Sequence, residues 1–150
     1  MGGQDPDRIR EVAMQLDDAM EAMDKEKVLE FFSEDCEIKF LGKTVKGKDG
    51  VKRWLDWMEA KGMTRMKLTP VNIQVIGDTF LEEFKAKAVL EDGSEIEAEQ
   101  CEVLIYEDYK VKSLRLYFDR LQYAPMIAKN FVEKAVIRRL NKMTFAGLED

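Results

Sequence analysis

The sequence predicts one α+β domain in which three N-terminal helices pack on a strongly bent antiparallel sheet, with a further helix at the C-terminus. Three observations predict it. Apolar residues recur every three or four positions through most of residues 6–63 and again after Pro125, whereas from Thr64 to Phe118 they alternate with polar ones. The alternation slips by one residue around Thr69-Pro70, as it does at a bulge where a strand bends and a sheet can wrap around a cavity. Hydrophobic residues make up 45% and charged residues 36% of the 150, with no compositional break, which suits one core under a solvated surface. Residues 1–120 read as the pocket domain and 121–150 as a helical extension.

Asp5-Pro6 reads as a helix start, with Asp5 as cap and Pro6 in the first turn, and Ile9, Val12, Ala13, Leu16, Ala19, Met20 and Met23 form the inner stripe. After Asp24-Lys25-Glu26 a short second helix carries Val28, Leu29, Phe31 and Phe32 inward and ends near Ser33-Glu34-Asp35. Residues 36–41 and 44–46 form a small hairpin around Gly42-Lys43. Gly47-Lys48-Asp49-Gly50 leads into a third helix with Val51, Trp54, Leu55, Trp57, Met58 and Met63 on or near its inner face. Four strands follow as a meander, at about 65–76, 79–90, 95–106 and 110–119. The last helix is predicted from Pro125 to about Met143, with Phe131, Val132, Val136, Leu140 and Met143 on one stripe.

Composition narrows the chemistry. The chain has no histidine, so acid or base work falls to Asp, Glu, Lys or Tyr, and no cofactor or metal site is expected. Cys36 and Cys101 lack paired spacing and read as buried free thiols in a reducing, cytoplasmic setting. No apolar run approaches the ~18 residues that span a bilayer, and the start Met1-Gly2-Gly3-Gln4-Asp5-Pro6 lacks the features of a secretion signal. A net charge of −6 argues against nucleic-acid binding. The charge is uneven: residues 120–150 carry about +3, leaving about −9 on the rest. The last helix is therefore read as packing across the outer sheet or at a dimer seam, as a lid, or as a contact with a membrane surface or an acidic partner.

Strand parity selects the residues that face a pocket. In 79–90 the even positions Phe80, Phe84, Ala86, Ala88 and Leu90 are apolar while Lys85 and Lys87 are odd, so the even face is the buried one and Glu82 lies on it. In 95–106 the even face holds Ile96, Ala98, Gln100, Glu102, Leu104 and Tyr106, unless a bulge near Cys101 swaps the parity. If Glu91-Asp92-Gly93 is a three-residue hairpin loop with a left-handed Gly93, residues whose numbers sum to 184 face each other, and Glu82 stands opposite Glu102. Two carboxylates about 5 Å apart at Cβ in a desolvated wall do not both ionise freely, and such a pair can act as acid and base. The alternative is an ordinary rim in which these acids reach solvent, Arg65 or Arg115. Likewise Asp119 reads chiefly as a partner of a backbone group or Arg120, and the Trp54, Trp57, Met58 and Met63 cluster is read as core or as ligand cage.

The element order, with Phe31-Phe32-Ser33-Glu34-Asp35-Cys36, Val45-Lys46-Gly47-Lys48-Asp49-Gly50-Val51 and Leu116-Tyr117-Phe118-Asp119, resembles the nuclear-transport-factor-2-like superfamily over residues 7–120. Closest in look are SnoaL-like polyketide cyclases, ketosteroid isomerases and limonene epoxide hydrolases. The resemblance implies a cystatin-like cone, a pocket for a polyketide-, steroid- or terpenoid-like molecule, and a homodimer through the outer sheet face. It places the isomerases' tyrosine at Leu16 and their base at Phe40. It places the epoxide hydrolases' set at Phe84, Ala86, Leu116, Ile38 and Phe40. None of these residues can do that chemistry; only the isomerases' second acid keeps a counterpart, Glu102. The expected wall is therefore Leu16, Ile38, Phe40, Trp54, Met58, Phe84, Ala86, Gln100, Leu116 and Phe118, with Glu82 and Glu102 as candidate catalysts for cyclase- or isomerase-type acid–base work. The alternative is a non-catalytic dimeric interaction module of the same fold.

Overall fold

A computed structural model describes residues 3–148. Its first helix, α1 (Pro6–Glu21), starts as its sequence requires: the Asp5 carboxylate accepts from Asp7 N at 3.0 Å and Pro6 occupies the first helical position. There follow α2 (Lys25–Glu30), β1 (Phe32–Phe40), β2 (Lys43–Lys46) and α3 (Gly47–Ala60). Phe32, expected in the second helix, instead opens β1, because Val111 of the last strand pairs with it and draws it into the sheet. The meander comprises β3 (Met63–Ile76), β4 (Thr79–Leu90), β5 (Glu95–Glu107) and β6 (Lys110–Phe118), and two more helices, α4 (Arg120–Ile127) and α5 (Phe131–Thr144), complete the chain.

The six strands form one sheet in the order β2-β1-β6-β5-β4-β3, antiparallel except where β1 runs parallel to β6. The β3/β4 register shifts between Pro70 and Asn72, which leaves Val71 as the extra residue and 57% exposed. This is the bend that the slip at Thr69-Pro70 predicts. Between β4 and β5 the ladder is continuous from Thr79↔Ile105 to Val89↔Glu95, with Glu82 opposite Glu102 and Phe84 opposite Gln100. Gly93, at φ +80°, makes the tight turn, so no parity swap occurs at Cys101. Cys101 accordingly lies on the exposed odd face, whereas Cys36 is buried as expected.

Two sets of contacts hold α1 across the inner face of the sheet. At its N-terminal end Gln4 Nε2 donates to Tyr106 O (2.8 Å), and Tyr109 N donates to Gln4 Oε1 (2.6 Å). At its C-terminal end Leu68 N donates to Glu21 Oε1 (2.7 Å), and Lys67 pairs with the same carboxylate. The core between helices and sheet is apolar, with Ile9, Val28, Phe32, Ile38, Val51, Phe80, Leu104 and Val111 essentially inaccessible.

The last helix is not the single element predicted from Pro125. Asp119, read as the partner of a backbone group, accepts from Leu121 N (2.9 Å) and starts α4 ahead of Pro125. Asn130 then accepts from Val132 N and Glu133 N, both at 3.0 Å, and starts a separate helix. α5 buries no residue and rests against α4, not across the outer sheet; its stripe of Phe131, Val132, Val136, Leu140 and Met143 faces outward. Removal of residues 129–150 is therefore expected to change Tm by less than about 3 °C in a thermal melt, since no core contact is lost. No helix among the described residues is long and apolar enough to cross a membrane.

Candidate functional site

An apolar cavity of about 300 Å³ lies between the bent sheet, α1, α3 and α4. Trp54, Trp57 and Met58 come to it from α3, Phe40 from β1, Phe84 and Ala86 from β4, and Phe118 from β6. The Phe40 ring sits 6.2 Å from Trp54 and 5.6 Å from Trp57, tilted by 54° and 57° to them, an aromatic cluster on the cavity wall. α4 closes the remaining side with Leu121, Tyr123, Ala124 and Met126. It is held down by Arg120 Nη2 donating to Leu41 O (2.7 Å) and by Gln100 Nε2 donating to the Tyr123 hydroxyl. The helix that covers the cavity is thus α4, built from residues at the junction of the two predicted segments.

Seven of the residues expected in the wall border this cavity: Phe40, Trp54, Met58, Phe84, Ala86, Gln100 and Phe118. Leu16 and Ile38 do not; they are 4% and 0% exposed and pack in the core, because the close approach of α1 and of β1 to β6 fills the space beside them. Leu116, opposite Phe40 and Glu102, packs against the core and lines a separate groove with Lys39 and Gly42. Trp57, expected with the core-or-cage cluster, is 42% exposed and forms the cavity's outer edge.

Beyond the inner end of the cavity lies a group of buried acids. On the inner face of the sheet Glu82 and Glu102 form the pair one rung deeper than Phe84 and Gln100, a step of about 7 Å along the strands. Glu82 is 2% and Glu102 is 9% exposed. Asp17, on α1, joins them: one carboxylate oxygen from each of the three lies within 4.8 Å of the others. Asp17 was not among the residues singled out above, although a signal for it exists. Its neighbours on the helix face, Ala13 four residues before and Met20 three residues after, are both buried. What the sequence lacks is the packing of α1 on β3 and β4 that aims this face at Glu82.

Arg65 and Arg115 do not reach the acids, and among the described residues no ion pair involves them. Arg115 stands opposite Val103 and Lys39, on the odd side of its strand. Without a basic neighbour, burial and mutual repulsion hold protons on the carboxyls. Burial first, then the charges of Glu102 and Glu82, push Asp17 up to about 9. Burial and the Glu82 charge push Glu102 up to about 8. Burial raises Glu82 to about 7, against the lowering effect of its hydrogen bond with Asp17. The Tyr106 hydroxyl, buried and without a partner, is pushed up by burial and by all three acids. Three such carboxyls can share protons among themselves or surround one small cation.

Comparison with known proteins places this architecture. A family model described as the SnoaL-like domain matches residues 13–114. No curated protein matches the chain. Among solved structures, an NTF2-like protein of unknown function from Burkholderia pseudomallei superposes with TM-score 0.73 at 16% identity, over 81% of this chain and 98% of that one. A putative SnoaL-like polyketide cyclase from Jannaschia is similar at TM-score 0.72 and 17% identity, over 85% and 99%. An LEH-like epoxide hydrolase from M. tuberculosis gives TM-score 0.70 and 17% identity, over 87% and 97%. At these identities the likeness is one of fold.

Proposed function

Because the chain belongs to the SnoaL-like domain family, we propose that it binds one small, largely apolar molecule, polyketide-, steroid- or terpenoid-like, in the conical space between α1–α3 and the sheet. In this reading it performs cyclase- or isomerase-type acid–base chemistry with Glu82 and Glu102. The observation that carries the reading is the position of the acids: they follow Phe84 and Gln100 by two residues on the same face of the sheet, next to an otherwise apolar cavity. A cavity of about 300 Å³ is at the small end of ligand pockets, room for one compact molecule.

The chemistry follows from proton affinities. Glu102, at about 8, keeps its proton near neutrality and can donate to a ligand oxygen. Glu82, at about 7, is near half-ionised there and can accept a proton from the adjacent carbon. A donor beside an acceptor is what enolisation or ring closure requires. The second reading, a non-catalytic interaction module, draws on the outward apolar stripe of α5.

Nile red fluorescence tests the pocket directly. The wild-type protein is expected to take up one dye per chain. Ala86→Phe, which places a ring in the cavity, is expected to weaken uptake by about tenfold or more while leaving the fold intact by circular dichroism. Absence of uptake by the wild type, or uptake unchanged by Ala86→Phe, would sink the reading. Native mass spectrometry of the purified chain would show any retained ligand.

A further inference from the structure

Burying three acids with no basic partner leaves specific atoms unserved. Asp17 Oδ2 and Glu82 Oε1 are inaccessible and receive no hydrogen bond from any protein donor, and the Tyr106 hydroxyl is buried and equally unpartnered. Beyond the proton that Asp17 and Glu82 share in their hydrogen bond, no other group donates to these two carboxyl oxygens. A ligand carbonyl can be served by Glu102 but donates nothing to the Asp17 and Glu82 oxygens, and a hydroxyl donates to only one of them. A positively charged N–H donor satisfies both at once and offsets the repulsion among the acids.

The wall of the neighbouring cavity is largely aromatic, and of its cationic side chains Lys61, Lys87 and Arg120, Lys87 is paired with Glu95 and Arg120 is bonded to Leu41 O. Phe40, Trp54, Trp57, Phe84, Phe118 and Tyr123 border the cavity in front of the acids. Aromatic faces attract organic cations, and Trp attracts them most. An inorganic ion could use the three oxygens but has no use for the rings. A cationic nitrogen on an apolar body uses both. The carboxylates lie about 7 Å, one rung, beyond Phe84 and Gln100. The nitrogen must therefore sit on a short arm, two or three bonds from the bulk of the ligand.

Resting on the small-molecule reading above, we propose that the ligand is an apolar amine whose ammonium group lies among Asp17, Glu82 and Glu102 while its hydrocarbon body lies against the aromatic wall. The amine arrives protonated, and a proton held between the carboxyls leaves to solvent as it enters. No covalent bond is made or broken. The three carboxyls then carry the ammonium's counter-charge together, and the proton they retain is shared among them.

Calorimetric titration with two probes of the same shape tests this: 2-cyclohexylethylamine, a cation at neutral pH, and 2-cyclohexylethanol, its neutral counterpart. The amine is expected to bind at least about tenfold more tightly. Glu82→Gln and, separately, Asp17→Asn are each expected to bring the two probes within about twofold, with thermal melts showing that the variants are folded. Equal or tighter binding of the alcohol would overturn the proposal. So would an amine advantage that survives both substitutions, or Mn²⁺ alone displacing the amine, which would make this an inorganic cation site. If both probes fail while Nile red still enters, the ligand class is wrong and the pocket stands; if Nile red also fails, the pocket reading falls first and this one with it.

Discussion

Stability is expected to fall as the pH rises from 5 to 9. In the folded chain Glu82, Glu102 and Asp17 hold their protons up to about 7, 8 and 9, far above the range near 4 where these groups titrate when unfolded. Between those limits the folded state binds more protons than the unfolded one, so raising the pH favours unfolding. The contribution is fully present below about pH 4 and is lost progressively as the pH climbs through the folded values. The other titratable groups that interact with the cluster are Glu21, at the end of α1, Tyr106 and Cys101, and none supplies a compensating positive charge. The surface carboxylates lowered by their partners, Asp35, Asp56 and Asp92, act in the opposite sense, but they do so on the acid side of pH 4.

Each extra bound proton changes stability by about 1.4 kcal/mol per pH unit, about 4 °C in Tm for a chain of this size. Calorimetric melts at pH 5, 6, 7, 8 and 9 should show at least one proton's worth of decline per unit between 5 and 7. Glu102→Gln and Asp17→Asn should flatten the profile and melt above the wild type at pH 9, because each removes a charge that the interior cannot solvate. A Tm that is level or rising between pH 6 and 8 would mean that the acids are served by groups not seen here.

Ile38→Ala is expected to destabilise the chain by about 2–5 kcal/mol in urea unfolding while leaving Nile red affinity within about twofold. Ile38 is fully buried on β1, between Val45 of β2 and Leu114 of β6, and borders no part of the cavity. Its truncation leaves a void in the core and does not touch the ligand wall. Phe84→Ala should instead change both quantities, since that ring is buried and also borders the cavity. Loss of dye binding in Ile38→Ala with little loss of stability would return Ile38 to the pocket wall where the family resemblance placed it.

Much of the sheet was legible because its signals are local. The turn glycine at 93 and the parity on either side set the β4/β5 register, and with it Glu82 opposite Glu102. The slip at Thr69-Pro70 announced the bulge that leaves Val71 outside the ladder. Other features were misplaced where two local signals compete. A single helix is expected after Pro125, but the Asp119 and Asn130 caps set the boundaries of two, α4 and α5. Cys101 looked like a small hydrophobe for the core, yet the uninterrupted ladder turns it outward.

By itself, then, the sequence determined the fold class, the β4/β5 register, most of the apolar wall from Phe40 to Phe118 and the absence of histidine chemistry. All of these follow from periodicity, turn geometry and composition, which act over a few residues. Tertiary structure alone decided that Asp17 completes the acid group, that Leu16 and Ile38 belong to the core, and that α4 covers the cavity. Those outcomes depend on how α1, tied to Tyr106 O at one end and Leu68 N at the other, crosses the sheet. They depend equally on the short tethers that hold α4 to Leu41 and Gln100. The proton affinities follow from the same packing, because desolvation is a property of everything that surrounds a carboxyl and of no residue alone.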